Sequence, residues 1–145
     1  MTLVPHNKMI GHILISEIYE SLTKTTFQNA HGTYTVIDAE VEQLTALLLC
    51  NFIGHHLVVI DSKEELNAVA PNASAWYWID LNDIEKEWNW VTSMGNEGFV
   101  KWHAGEPENN ANANCVFIVG KRLGDIRCSA RIKFICEKDI PEMFG

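Results

Sequence analysis

Three carboxylates carry the most definite chemistry in this chain. Glu106 and Glu108 flank Pro107 in a polar stretch, and Asp125 follows beyond Cys115. Hard oxygen donors on a flexible loop suit Ca2+, which takes about six to eight oxygens. The competing reading is a solvated acidic loop that holds no ion. His103, Asn109 and Asn110 lie in the same stretch and add an imidazole nitrogen and two amides that a ligand can meet.

The rest of the composition limits what such a site serves. The chain has 145 residues, 47% apolar and 21% charged, enough for one core but cramped for two domains. Eleven basic against nineteen acidic residues leave a net charge of −8. A surface that acidic repels phosphate backbones, so a nucleic-acid partner is excluded as a main reading. No apolar run approaches the ~20 residues of a membrane span. There is no G-x-S-x-G, H-E-x-x-H or phosphate-binding glycine loop, and no nucleophile or positioned base accompanies the carboxylates. An enzyme is therefore not expected.

Four cysteines, Cys50, Cys115, Cys128 and Cys136, allow three pairings and lack the C-x-x-C spacing of zinc or redox motifs. Oxidised, they imply an extracellular compartment, and the sequon Asn72-Ala73-Ser74 points the same way. Unrelated buried thiols in a cytosolic protein are the alternative. The stretch from Met1 to Ser16, interrupted by Pro5 and Gly11, does not read as a signal peptide.

Several elements must position these residues. Ile10, Ile13, Leu14, Ile18 and Leu22 fall at helical spacing, so Ile10 to Leu22 reads as a helix that packs on the domain or on a second copy of the chain. Thr23 to Thr26 reads as a break after it. Thr33 to Ile37 reads as a strand. Glu40 to Leu49 reads as a helix burying Val41, Leu44, Leu47 and Leu48. Leu57 to Ile60 reads as a short strand. Ser62 and Glu65 form a capping box that starts a helix ending before Pro71. Tyr77 to Leu81, Trp88 to Val91, Val116 to Val119 and Ile132 to Cys136 read as strands. Thr92 to Ala113 reads as one long irregular loop, and such loops in compact domains are usually functional. The order indicates an α+β fold, with residues 1–26 as a helical extension and 27–145 as the domain.

From about Phe27 to Lys138 the chain resembles the C-type lectin-like domain family. Gly54-His55-His56-Leu57-Val58-Val59-Ile60, Trp78-Ile79-Asp80-Leu81-Asn82-Asp83, Phe99 with Trp102 and Gly105-Glu106-Pro107, Asn114-Cys115-Val116, and Phe134-Ile135-Cys136-Glu137 match its motifs in order. The wording around Asp80 and the leading helix is most similar to secreted insect members. The resemblance implies two helices, short antiparallel sheets and a long loop. It also implies the pairing Cys50–Cys136 and Cys115–Cys128, a secreted location and a non-catalytic recognition role.

The resemblance also sharpens the site. Sugar-binding members carry E-P-N or Q-P-D, an acid two residues before the next cysteine, and W-N-D before the following one. Here those places read Glu106-Pro107-Glu108, Ala113 and Leu123-Gly124-Asp125. Glu106, Glu108 and Asp125 remain as a Ca2+ set, expected at the weak end of affinity, about 10⁻⁴–10⁻³ M. Asp83 and Glu87 match two positions of a second family ion site, whose remaining places fall at Ala113 and Asn114; with that site incomplete, a surface turn with scattered acids is the favoured reading. Trp78, Trp90 and Trp102 match core positions, whereas Trp76 and Trp88 are less fixed: a core or framework role leads, and a ring for sugar stacking is the alternative. His55 and His56 read as structural. Two functions stay open: a lectin binding glycans or glycoproteins, with or without Ca2+, and a Ca2+-independent module for a protein ligand. A homodimer through the N-terminal helix is compatible with both.

Overall fold

The computed structural model describes residues 16–100, 102, 106–107 and 112–138. Residues 16–21 are helical, and the remainder of the helix expected over Ile10–Leu22 lies outside the described residues apart from Leu22. The elements that follow are β1 (Lys24–Asn29), β2 (Gly32–Val41), α1 (Gln43–Phe52), β3 (His56–Leu57), α2 (Lys63–Val69), β4 (Trp76–Asn82), β5 (Cys115–Val119), β6 (Arg122–Ile126) and β7 (Ile132–Lys138).

All seven strands join one sheet in the order β1-β2-β7-β4-β5-β6, with β3 also on β7. Expected short antiparallel sheets thus merge into one, because β4 and β7 pair in parallel at Tyr77↔Lys133 and Trp78↔Phe134. Two strands escaped the pattern reading. The supposed break after the first helix is β1, paired antiparallel with β2 from Lys24↔Ile37 to Asn29↔Gly32. None of its residues is fully buried and few are apolar, so the sheet and not propensity sets their state. β6 likewise hides behind Gly124 and Asp125.

Alternation along the strands builds a core on each face of the sheet. Tyr77, Ile79, Val116, Ile118 and Ile135 face one apolar cluster, with Leu66 and Val69 of α2 packed on it. Trp78, Cys115, Phe117, Phe134 and Cys136 face the other, where Ala46 and Cys50 of α1 pack. This is the period-2 pleat applied to strands buried on both sides. Disulfides Cys50–Cys136 and Cys115–Cys128 are both formed, with sequence separations of 86 and 13.

Three local readings change. α1 starts at Gln43 and runs to Phe52, with Gln43, Ala46 and Cys50 buried, while Leu44 and Leu48 are 64% and 60% exposed. Gln43 wins the inner face because β4 shifts register between Trp78 and Asn82. Its Nε2 donates to the carbonyls of Ile79 (2.9 Å) and Leu81 (3.1 Å) within that shift, and buried carbonyls demand such partners. The expected strand Leu57–Ile60 shrinks to His56–Leu57, after which Val58 N bonds Ile135 O and Asp80 N bonds Val58 O. Trp88 to Val91 is no strand: Trp88 sits at φ 69°, and Val91 makes isolated bridges to Asn82 and Glu97. Ser62 caps the helix as expected, its Oγ accepting from Glu65 N at 3.1 Å. The Glu65 carboxylate, however, reaches back to Asp61 N at 2.9 Å and not to Ser62 N, so the box is displaced by one residue.

Candidate functional site

The first half of the long loop is less irregular than its sequence. Asn82 and Val91 exchange both backbone bonds, Thr92 N donates to Asn96 O at 2.8 Å, and Gly98 N donates to Trp90 O. A side chain at Gly98 has no room, because its Cβ would run into Leu81. Asp80 ties this turn to the sheet. Its carboxylate accepts from Ser93 N and Ser93 Oγ, both at 2.7 Å. Burial pushes the Asp80 pKa above the usual carboxylate range, and the Ser93 bonds pull it back.

Tryptophans line the same region. Trp78 is fully buried and its Nε1 donates to Val41 O at 2.7 Å. Trp90 and Trp102 pack half-buried against the core, edge to face at 5.1 Å. Trp88 meets Trp90 edge to face at 6.5 Å and remains 44% exposed. Trp76 is 43% exposed and stacks on Phe117 at 4.2 Å with rings 6° from parallel. His56 is engaged structurally: Nδ1 lies 2.9 Å from Leu57 O and Nε2 lies 3.9 Å from Glu137 Oε1.

The second half of the loop brings Glu106 and Asp125 together. Asp125, on β6, is 1% exposed, and its backbone N donates to Glu106 Oε2 at 3.3 Å. The Glu106–Pro107 peptide is cis. Cys115–Cys128 joins the strand end where the loop returns to the segment after β6, so this pair sits at a braced base. Glu108, His103, Asn109 and Asn110 lie outside the described residues. Ala113 is buried and offers no ligand. Gly124 offers none either, because the Phe117 ring fills the space a side chain there would need.

Asp83 gives a second feature. It is 3% exposed, its Oδ2 accepts from Trp88 N at 2.9 Å, and its backbone N donates to Asn114 O. Its Oδ1 is buried with no hydrogen-bond partner among the described residues. A buried carboxylate oxygen without a donor is costly, and a cation is one group that relieves it. Glu87 is exposed on the turn between Asp83 and Trp88. Among the described residues no three carboxylate, histidine or cysteine side chains form a metal-holding group. The described donor set therefore fits a Ca2+ ion only in part, through Glu106 and Asp125 at one place and Asp83 at another.

The signal for Glu106, Asp125 and Asp83 lay in sequence motifs. The Phe117–Gly124 contact had no such signal, because it depends on the β5–β6 register that sets Phe117 opposite Gly124.

Comparison with known proteins places this geometry. Residues 23–138 match the family model described as "Lectin C-type domain". The chain is 31% identical over 121 residues to CD209 antigen-like protein 2 of Macaca mulatta, covering 79% of this chain and 46% of that protein. It therefore spans less than half the length of that relative. The mouse scavenger receptor C-type lectin carbohydrate-recognition domain superposes with a TM-score of 0.71 at 26% identity, covering 81% of this chain and 97% of that one. The C-type lectin domain of murine dendritic cell inhibitory receptor 2, solved in complex with an N-glycan, superposes with a TM-score of 0.68 at 28% identity, covering 74% and 91%. These relatives are mammalian, and the expected nearness to insect lectins is not shown by them. With its sheet order, two disulfides and loop motifs in register, the chain belongs to the C-type lectin domain family.

Proposed function

We propose that this domain is a non-catalytic extracellular recognition module. It binds glycans, free or on glycoproteins, through the loop of residues 105–114 together with Asp125. The observation that carries the reading is Glu106 held on the Asp125 backbone at the base braced by Cys115–Cys128. Such a base holds Glu106 and Asp125 in place before a ligand arrives, which lowers the entropy lost on binding. Relatives named for carbohydrate recognition and N-glycan binding support the ligand class.

Ca2+ enters this proposal as a weak ligand of Glu106, Glu108 and Asp125. When bound it would supply a positive centre for sugar hydroxyl oxygens. The chain's own residues set the preference. An ionised Glu108 accepts hydrogen bonds but donates none, unlike the amide of an E-P-N loop. The loop therefore presents acceptors on both sides of Pro107 and favours ligands rich in donors over the usual vicinal diol. His103, Asn109 and Asn110 supply the donors. Their role and that of Glu108 rest on the sequence.

A second reading is a Ca2+-independent site for a protein ligand. It is favoured by one observation: the places of two family ligands are the buried Ala113 and Gly124. Pairing of two copies through the N-terminal helix remains compatible with either reading, and sedimentation of the full chain reports it. A glycan array probed with Ca2+ and again with chelator separates the readings. Glycan signals lost in chelator support the ion-assisted lectin, and signals that persist support ion-independent sugar binding. An array blank under both conditions overturns the glycan reading.

A further inference from the structure

The sequon Asn72-Ala73-Ser74 lies in the turn just before β4, at the end of that strand away from Asp83. All three residues are exposed. Asn72 O accepts from Ala75 N at 3.2 Å, and Asn72 Oδ1 accepts from Ser74 N at 2.9 Å. The side chain is thereby anchored through its oxygen. Its amide nitrogen, Nδ2, makes no hydrogen bond among the described residues, on a side chain that is exposed. The turn approaches the β5–β6 turn closely: Ala73 O lies 3.3 Å from where a Cβ would stand on Gly120.

Beside this turn is an open cleft of about 300 Å³ lined by Glu40, Ser74, Ala75, Trp76, Ile132 and Lys133. Its apolar wall is the exposed indole of Trp76, whose other face is stacked on Phe117. Half-exposed, rigidly backed tryptophan beside polar side chains is the surface a pyranose ring packs on, its C–H face on the indole and its hydroxyls on the flanks. Trp76 opens β4 and Asn82 closes it, so the cleft stands roughly 20 Å from the Asp83 end of the strand.

We propose that Asn72 carries an N-linked glycan whose first N-acetylglucosamine rests on Trp76 in this cleft. The proposal deepens the extracellular reading above and depends on it. In the transfer, Asn72 Nδ2 forms a bond to C1 of the sugar. The bond from C1 to the diphosphate of a polyprenyl-diphosphate oligosaccharide donor breaks, and the lipid diphosphate leaves. The amide proton passes to a base of the membrane transferase that reads the Ser74 hydroxyl. The glycan then covers an exposed aromatic patch and, being at the far end of β4, leaves the recognition loop open.

The test uses the full chain directed into a eukaryotic secretory pathway by a cleavable leader. Peptide mass spectrometry is expected to find hexosamine mass on the peptide holding Asn72, removed by an amidase that converts Asn72 to Asp. Ser74→Ala is expected to abolish it and Ser74→Thr to keep it. Hydroxyl-radical oxidation of Trp76 is expected to rise several-fold once the glycan is removed. An unmodified Asn72 in a chain with both disulfides formed overturns the proposal and leaves the extracellular reading intact. Cysteines that stay reduced in that compartment overturn the extracellular reading itself. Equal Trp76 oxidation with and without the glycan overturns the packing on Trp76.

Discussion

The ring of Phe117 lies directly over Gly124, with both of its Cε atoms 3.0 Å from where a Cβ would stand and Cζ closer still. Phe117 in turn stacks under Trp76. The place that matches the Asn of the family's W-N-D motif is thus committed to aromatic packing. Gly124→Asn is expected to destabilise the fold by about 1–3 kcal/mol, because a side chain must displace a buried ring. Chemical denaturation measures it. A variant as stable as the parent would mean that the ring yields without cost.

Calcium should act through the carboxylates that remain. With millimolar Ca2+ and a Kd of about 10⁻⁴ M, mass action adds about 1.4 kcal/mol of stability. Thermal melts are expected to shift upward with Ca2+, and Glu106→Ala combined with Asp125→Ala to abolish the shift. A response surviving that pair but lost in Asp83→Asn would assign the ion to the buried Asp83 oxygen instead.

The two disulfides should differ in weight. Loop-closure entropy gives about 4.6 kcal/mol for Cys50–Cys136 and about 3.0 kcal/mol for Cys115–Cys128, following their separations of 86 and 13. Paired Cys→Ala variants of each, compared by denaturant midpoint, are expected to keep that order. In the weaker pair, ligand binding should suffer more than stability does, because that bridge braces the Glu106–Asp125 base.

Glu137 should make stability fall as pH rises. Burial pushes its pKa from 4.5 up to about 7, with the Val59 N bond and His56 opposing and Glu65 and Asp61 adding to the rise. Tyr34 OH donates to Glu65 Oε2 on the same side at 2.6 Å, and burial together with that bond raises the Tyr34 pKa. A carboxyl that holds its proton more tightly folded than unfolded stabilises below pH 4.5, and that stability is lost through pH 7. Glu137→Gln is expected to match the parent near pH 4.5 and to exceed it at pH 8 by on the order of 2 kcal/mol. Urea midpoints across this range check the sign, and a parent more stable than the variant at pH 8 would reverse it.

Asp80 should hold the turn of residues 92–97. Asp80→Ala removes the acceptor of Ser93 N and Ser93 Oγ, at a cost of about 1–3 kcal/mol. Limited proteolysis is expected to cut that turn faster in the variant. Unchanged cutting would show that the backbone bonds at Thr92 and Gly98 suffice.

Much of this domain could be read before folding. Helix α2 was legible because Ser62 and Glu65 cap it locally. Strands β4, β5 and β7 were legible because they are buried on both faces and so read as apolar runs. The motifs around Glu106 and Asp125 lie close to fixed landmarks, Pro107 and Cys128, so their likeness to the family could be seen residue by residue.

Only the tertiary structure decided the rest, and in each case the cause is a partner distant in sequence. β1 is a strand because β2 lies beside it, and its own residues do not demand it. Gln43 displaced the leucines from the inner face of α1 because a register shift in β4 left two carbonyls for it to satisfy. Asp80 is stable in the sheet because Ser93 donates to it twice. Gly124 has no room for a side chain because the ring of Phe117 on the neighbouring strand fills that space. Hydrophobic period and capping are local and survive in the sequence. Hydrogen-bond satisfaction and ring packing are settled only when the strands choose their neighbours.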